Sequence, residues 1–340
     1  MAQNRQRGCF VSDGQFLFFQ VNFDNEDLLK AELSLKYPWL NLSYSRHGFL
    51  TYKNMGEKLA LQDIAKLSII FSRRFGLSIG RSQREGIERM LSDLIEKKTV
   101  AENTPRHLWT TGTNEVDDEL RQLIRPIHRA ERGEVLNIIQ VRKDEFWFGL
   151  HWQDEHSSFF PGGDPGLVMP GHSPSRAYLK IAEVDSEFEL WKRPGGKILE
   201  LGSSPGGASL YLIERGQIVL GVDPGEMDAR PLEFKDSKRF KHLHLPVQSI
   251  KRELLADEMP FHWLVVDMNL SPKQSLSESL RLAQFLTPAL KGIVMTVKIT
   301  DRRLVSEIPA YLAKIRTTHP KSIITRQLAT HRREFLALIL

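Results

Sequence analysis

The sequence predicts an α/β protein in two parts: a mostly parallel, doubly wound sheet in the C-terminal half, preceded by an α+β region. Three observations predict it. From residue 197 onward, short apolar runs alternate with segments of helical periodicity, the pattern of a parallel sheet with helices on both faces. The segment SSFFPGGDPGLVMPGHSPS (157–175) carries four prolines and four glycines and reads as a linker. Upstream of it, strand-helix-strand units end in a hairpin pattern, which suits small α+β sandwiches. The expected division is 1–156, a linker at 157–172, and 173–340.

In chain order, QFLFFQVNF (15–23) and GFLTYKN (48–54) read as strands around a helix at about 25–36. SIIFSRRFGLSIG (68–80) reads as a strand and GIERMLSDLIEKK (86–98) as a helix. RHLWTTGT (106–113), a helix at about 114–130, and a strand pair within 135–152 follow. After the linker, Ser173 is placed to cap a helix that starts at Pro174. The C-terminal strands are KILEL (197–201), QIVLGVD (217–223), HLHL (242–245), HWLVVDM (262–268) and GIVMTVKI (292–299). Helices are expected at about 206–216, 272–289 and 301–318. SIITRQL (322–328) and EFLALIL (334–340) close the chain with no helix between them, as an antiparallel pair at one edge.

At 340 residues the chain has room for two or three domains. A hydrophobic content of 41% and a charged content of 26% are ordinary for a globular protein. The single cysteine, Cys9, excludes a disulfide framework and a Cys-rich zinc site, and suits a reducing cytoplasm. No apolar run approaches the roughly 18–20 residues of a membrane span, and MAQNRQRGCFVSDGQ lacks the apolar core of a secretory leader. A cytoplasmic protein without a membrane partner is expected. Residues 1–170 hold 22 Lys+Arg against 23 Asp+Glu, and residues 171–340 hold 25 against 19. The whole excess behind the net charge of +5 therefore lies in the second half. That permits a polyanionic partner. His242 and His244 are too sparse for a metal site, and no metal is expected.

ILELGSSPGGASLYL (198–212) is the strongest local signal. A buried strand ends at Leu201 and Gly202 opens a turn. Ser204 and Pro205 fill that turn, and Gly206 and Gly207 leave the start of the next helix free of side chains. Backbone N–H groups at a helix start suit a carboxylate. The loop is G-x-x-P-G-G, not the G-x-G-x-x-G of a dinucleotide fold, and suits an amino-acid tail better than a pyrophosphate. Asp223, at the end of the next strand, is placed to accept hydrogen bonds from the ribose hydroxyls of an adenosine ligand.

Four further ionisable residues stand where apolar ones are expected. Lys180 lies on the helix after the linker, Asp267 and Lys298 close apolar strands, and Glu334 opens the last strand. With these residues the sequence resembles the FtsJ-type RNA ribose methyltransferases. The resemblance rests on S-R-A-Y-x-K at Ser175–Lys180, L-G-x-x-P-G-G at Leu201–Gly207, and Asp223. It continues through V-V-D-M at Val265–Met268, V-K at Val297–Lys298 and R-E-F at Arg333–Phe335. It covers about the whole C-terminal half. The first half resembles, by layout more than by motif, the ferredoxin-like plus THUMP arrangement of bacterial enzymes that 2′-O-methylate a cytidine of large-subunit ribosomal RNA.

The resemblance implies a Rossmann-like class I methyltransferase domain that uses S-adenosylmethionine. Lys180, Asp267, Lys298 and Glu334 would be the catalytic tetrad. Gly202, Ser204, Pro205, Gly206, Gly207, Asp223, Gln248 and Asp267 would hold the cofactor. The implied substrate is RNA, most naturally large-subunit ribosomal RNA, with transfer RNA as the alternative and no DNA partner. Two positions depart from the family pattern. Ala208 replaces a frequent tryptophan, and Gln248 stands where an acidic residue usually meets the adenine amino group; a glutamine oxygen can still accept there. Lys298 would take the hydroxyl proton or, if charged, stabilise the developing alkoxide. DMNLSP (267–272) lacks the Asn/Asp-Pro-Pro-aromatic motif of base methylation, and the missing dinucleotide loop argues against a dehydrogenase. A silent RNA-binding protein of this fold would have no need of the lysine pair. The first half is expected to dock RNA, helped by Arg73, Arg74, Arg81 and Arg84.

Overall fold

The computed structural model describes residues 14–111, 118–129, 131–155, 157–234 and 238–340. The chain divides into two units, Met1–Asp164 and Pro165–Leu340.

The first unit runs β1 (Phe16–Gln20), α1 (Glu26–Lys36), β2 (Leu40–Arg46), β3 (Phe49–Asn54), α2 (Leu61–Ala65) and β4 (Arg74–Gln83). It continues with α3 (Ile87–Glu96), β5 (Arg106–Thr110), β6 (Gly133–Arg142) and β7 (Glu145–Gln153). The strands form one sheet in the order β2-β3-β1-β4-β7-β6-β5. The βαββαβ stretch from β1 to β4 has the ferredoxin-like layout. Separate small sandwiches were expected; the hairpin β6–β7 instead pairs with β4 and extends the same sheet. The sheet curls until Tyr44 of β2 meets Trp147 of β7, with ring centroids 5.1 Å apart. Phe18, Phe49, Trp109 and Val141 fill the inside of that curl. On the other side Ile87, Met90, Leu91 and Leu94 of α3, at helical spacing, pack on Leu108, Leu136, Ile138 and Phe148. Burial on both faces is why apolar residues stand at consecutive positions of β6, Val135–Leu136 and Ile138–Ile139, rather than alternating.

Three expectations for this half fail. The helix expected at 114–130 falls partly outside the described residues; Asp118–Leu123 form a 3-10 turn, and Arg125 then makes a backbone bridge to Arg106. The strand expected at 68–80 begins only at Arg74. Arg73 and Arg74 do not form an exposed basic run. Arg74 is 3% exposed, and its guanidinium donates to the carbonyls of Ser158 (2.5 Å) and Phe160 (2.8 Å). Arg73 pairs with Asp164 at 3.2 Å. Buried carbonyls require donors; Arg74 supplies them, and with Arg73 it ties down residues 158–164. Arg84 pairs with exposed Glu119 at 2.6 Å, and Arg81 stands 5.8 Å from the Trp147 ring centroid.

The second unit contains α4 (Ala177–Phe188), β8 (Lys197–Leu201), α5 (Gly207–Glu214), β9 (Ile218–Val222), α6 (Ala229–Leu232) and β10 (Phe240–Leu243). After these come α7 (Arg252–Ala256), β11 (Trp263–Val266), α8 (Pro272–Leu286), β12 (Gly292–Lys298), α9 (Ile308–Arg316), β13 (Ile323–Arg326) and β14 (Glu334–Ile339). The sheet order is β10-β9-β8-β11-β12-β14-β13. Its first five strands are parallel, and β14 is antiparallel to both neighbours. This is a Rossmann-like α/β fold. Chain order reverses between β8 and β11, so the ligand crevice of such a sheet lies at their carboxyl ends. Ile181 and Val184 of α4 and Leu212 and Ile213 of α5 pack on Ile198, Val219, Val265, Val294 and Leu336.

Local chemistry sets the helix starts. Ser271 and Gln274 form a capping box at α8, whose first residue is Pro272. The expected helix at 301–318 splits into a 3-10 turn (Arg302–Glu307) and α9, because Pro309 fits only the first turn of a helix. Ser173 does not cap α4: its hydroxyl donates to the Ser175 carbonyl at 3.0 Å, and Arg176 takes the cap position.

Candidate active site

Strand alternation assembles the site. Ile198, Val219, Val265, Val294 and Leu336 share the sheet face covered by α4 and α5. Stepping by two along each strand puts Glu200, Asp223, Asp267, Lys298 and Glu334 on that same face. All five lie at the carboxyl edge of the parallel strands, since β14 enters there from the opposite direction. Lys298 and Glu334 stand directly opposite each other in the β12–β14 register. Lys180 is one turn ahead of Val184 on α4 and so faces the same edge.

Lys180 Nζ donates to Asp267 Oδ2 at 2.9 Å and reaches Glu334 Oε1 at 2.7 Å. Lys298 Nζ lies 3.5 Å from the other Asp267 oxygen. The four residues thus form one chain of alternating charge, Lys298–Asp267–Lys180–Glu334. Burial opposes the charge on Lys180, but the Asp267 and Glu334 carboxylates outweigh it and hold its pKa above the ordinary lysine value. Lys180 is therefore an ammonium at neutral pH. His331 is buried nearby; burial first, and then the charge of Lys180, push its pKa down to about 3, so it is a neutral imidazole.

The glycine turn adjoins this chain. Gly202 has φ +83°, and a β-carbon there would lie 2.4 Å from the Asp267 carbonyl oxygen. Gly206, with φ +107°, is the cap of α5, and only glycine tolerates these two backbone positions without strain. Ser204 Oγ donates to the Glu226 carbonyl at 2.5 Å, and the Pro205 carbonyl accepts from Asp228 N at 3.1 Å. These bonds anchor the turn to the segment after β9. Asp223 Oδ1 accepts from Gly225 N at 2.7 Å. Gln248 is exposed on a 3-10 turn (Val247–Ser249) beyond β10.

The sequence reading missed Glu200. It is 2% exposed, and Ser209 Oγ donates to it at 2.6 Å from the first turn of α5. Burial, with Asp267 and Asp223 nearby, raises its pKa to about 8 despite that hydrogen bond. The signal was available: a glutamate inside the apolar run KILEL, two residues before the glycine turn. Its raised pKa makes stability pH-dependent. The unfolded chain loses this proton near the ordinary glutamate value of about 4.3, while the folded chain keeps it until about 8. Stability from this group is complete below the first value and declines as pH rises between the two. Chemical denaturation of Glu200→Gln should therefore lack the part of the wild-type decline that falls in that window; identical pH profiles would show that Glu200 ionises freely.

Among the described residues, no group of three or more His, Cys, Asp or Glu side chains is arranged to hold a metal, and no helix is long and apolar enough to cross a membrane.

These features suit a ligand with three kinds of group. A carboxylate suits the N–H groups at the start of α5. A cation suits Asp267, and vicinal hydroxyls suit Asp223. Asp267 Oδ1 and Ser203 Oγ are both buried without a hydrogen bond among the described residues. S-adenosylmethionine carries all three groups. Residues 174–308 match the family model for FtsJ-like methyltransferases, a class that takes its methyl group from S-adenosylmethionine. Lys180, Asp267 and Lys298 lie within the matched segment and Glu334 beyond it. The chain is 24% identical to Ribosomal RNA large subunit methyltransferase M of Shewanella putrefaciens, over 91% of each chain. It is 26% identical to the protein of the same name from Tolumonas auensis, over 65% of each. Among solved structures, 1,6-didemethyltoxoflavin-N1-methyltransferase of Burkholderia thailandensis is 14% identical with a TM-score of 0.36, covering 48% of this chain and 77% of its own.

Proposed function

We propose that this protein methylates a ribose 2′-hydroxyl of large-subunit ribosomal RNA, at a cytidine, in the cytoplasm. The observation that carries the reading is the chain Lys298–Asp267–Lys180–Glu334 at the carboxyl edge of the sheet, beside the turn opened by Gly202. A binding protein has no need to assemble two lysines around one mostly buried aspartate. The names of the two relatives support ribosomal RNA as the substrate.

When bound, the cofactor supplies an activated methyl group. The protein has to bring a ribose hydroxyl into line with it, and placement of this kind accounts for much of the barrier reduction. Lys298 is the group at the open end of the ionic chain. It either takes the hydroxyl proton or, as an ammonium, stabilises the oxygen as that proton leaves. Asp267 fixes Lys298 from one oxygen and is itself fixed by Lys180 through the other. Glu334 holds Lys180 from its far side. On the cofactor side, Gly206 and Gly207 expose backbone N–H groups, Ser204 and Pro205 hold the turn, and Asp223 accepts from the ribose of the nucleoside. Gln248 is assigned to its adenine amino group. The N-terminal unit is assigned to RNA docking by shape and phosphate contact, with Arg73 and Arg74 excluded from that surface.

The test has two arms. Ribose 2′-O-methylation is mapped across ribosomal and transfer RNA with and without this gene; a large-subunit cytidine should lose its methyl group, and an unchanged map overturns the reading. Calorimetry on the full chain should show S-adenosylmethionine binding that Asp223→Ala weakens by about 1–3 kcal/mol, as for a lost charged hydrogen bond. Tighter binding of NAD would overturn the cofactor assignment.

A further inference from the structure

The turn between β13 and β14 is wired more heavily than the chemistry above requires. Glu183 of α4 is fully buried, and its two oxygens accept from Ala329 N (2.7 Å) and Thr330 N (2.8 Å). Gln327 donates to the Arg332 carbonyl at 3.1 Å, and His331 Nδ1 accepts from Leu328 N at 3.3 Å. Arg176 donates to the Thr330 carbonyl at 3.0 Å. Burying a carboxylate is costly unless its oxygens are satisfied, so Glu183 commits this turn to one backbone conformation. The turn presents Arg332, which is exposed, two residues ahead of Glu334.

A second rigid turn follows Lys298 and leaves the same end of the β12–β14 pair. Ile299 N, the first amide after Lys298, donates to the Arg333 carbonyl at 2.7 Å and so stitches the two turns together. Asp301 caps the following 3-10 turn by accepting from Arg303 N at 2.8 Å, and also holds the Arg303 guanidinium at 2.6 Å. Arg302 and Arg303 are both exposed there. Two fixed, arginine-bearing turns therefore leave the register pair Lys298–Glu334, one from each strand. Asp301 is paired with Arg303, and Glu307, at the far end of the 3-10 turn, accepts from the Tyr311 hydroxyl at 2.6 Å.

We propose that the two turns are a phosphate clamp: Arg302 on one side and Arg332 on the other hold backbone phosphates flanking the target ribose, and so set its 2′-hydroxyl against Lys298. The proposal rests on the RNA reading above and names the residues that place the strand. Phosphate contacts fix register without reading sequence, and the planar guanidinium fork matches phosphate geometry. Rigidity matters because productive geometry tolerates errors of only about 0.5 Å, which accounts for a buried carboxylate, imidazole and amide beneath a surface turn.

The experiment compares the full-length wild type with the double variant Arg302→Ala/Arg332→Ala, using protein-free large-subunit ribosomal RNA as the probe. RNA binding is measured across a salt series, and methyl transfer at saturating S-adenosylmethionine. Loss of two single-strand phosphate contacts should flatten the slope of log affinity against log salt by about 1.4. The effect should appear as a KM at least several-fold higher and, because the hydroxyl is less well placed, a lower kcat, with cofactor affinity little changed. Arg302→Lys/Arg332→Lys, which keeps the charges, should restore most of the slope. An affinity and slope equal to wild type overturn the clamp. A raised KM with an unchanged slope overturns it too, because the arginines would then act through the fold rather than on phosphate. A wild type that shows the arginine-dependent slope but transfers no methyl group supports the clamp and counts against the methylation reading alone.

Discussion

Replacing Lys298 by alanine is expected to lower methyl transfer by at least the roughly 10²–10⁴-fold typical of a lost acid–base group, while cofactor affinity stays within a few-fold. The two effects separate because Lys298 touches the site through Asp267, at 3.5 Å, rather than through the glycine turn or Asp223. Truncation should also leave the fold intact, since Lys298 terminates β12 and Asp267 keeps its hydrogen bond to Lys180. Steady-state turnover on the mapped RNA, with calorimetry for the cofactor, measures both. The pH profile of the wild type then distinguishes the two chemical roles. A neutral base gives activity that rises until the lysine is deprotonated and then levels. A charged stabiliser gives activity that falls as the lysine loses its proton. Near wild-type turnover in Lys298→Ala would remove the tetrad from the chemistry altogether.

The C-terminal unit was legible in the sequence because parallel strands covered on both faces read as plain apolar runs. Against such runs a terminal Asp267 or Lys298 stands out. Glu200 did not, since one glutamate inside KILEL looks like a strand with a single solvated position; only the closed face of α5 above it shows that it is buried. Lys180 was found through the S-R-A-Y-x-K resemblance, as nothing local separates it from a surface lysine. The N-terminal unit was harder for physical reasons. β2 is an edge strand whose residues are mostly exposed, so LNLSYSR carries no apolar alternation. Arg73 and Arg74 looked like a basic surface because their partners, Asp164 for the first and the carbonyls of residues 158 and 160 for the second, lie more than 80 positions away. The same blindness hid the wiring of residues 327–333. Its acceptors and donors are largely backbone groups of a turn, and a sequence does not show which buried side chain will satisfy them.

Lys180→Met should damage the protein twice, and the two losses can be measured apart. The lysine is the shared cation of Asp267 and Glu334, at 2.9 and 2.7 Å, and all three side chains are at most 19% exposed. Removing one partner of a buried ion pair leaves uncompensated charge and costs about 3–5 kcal/mol. Denaturant unfolding should show a loss of that size. The sign of the Lys180 shift sets its pH range. A lysine whose folded pKa lies above the unfolded value of about 10.4 contributes its full stabilisation below that value and loses it as pH rises through the folded pKa. The Lys180 contribution should therefore be constant around neutral pH and fall away only in strong alkali. Glu334→Gln in the Lys180→Met background removes one of the stranded carboxylates and should recover part of the stability. Turnover should not recover, because Asp267 still lacks the donor that orients it toward Lys298. Recovery of both by the second substitution would mean that Lys180 serves the fold alone. A Lys180→Met protein as stable as wild type would mean that the buried charges are not coupled as their distances indicate.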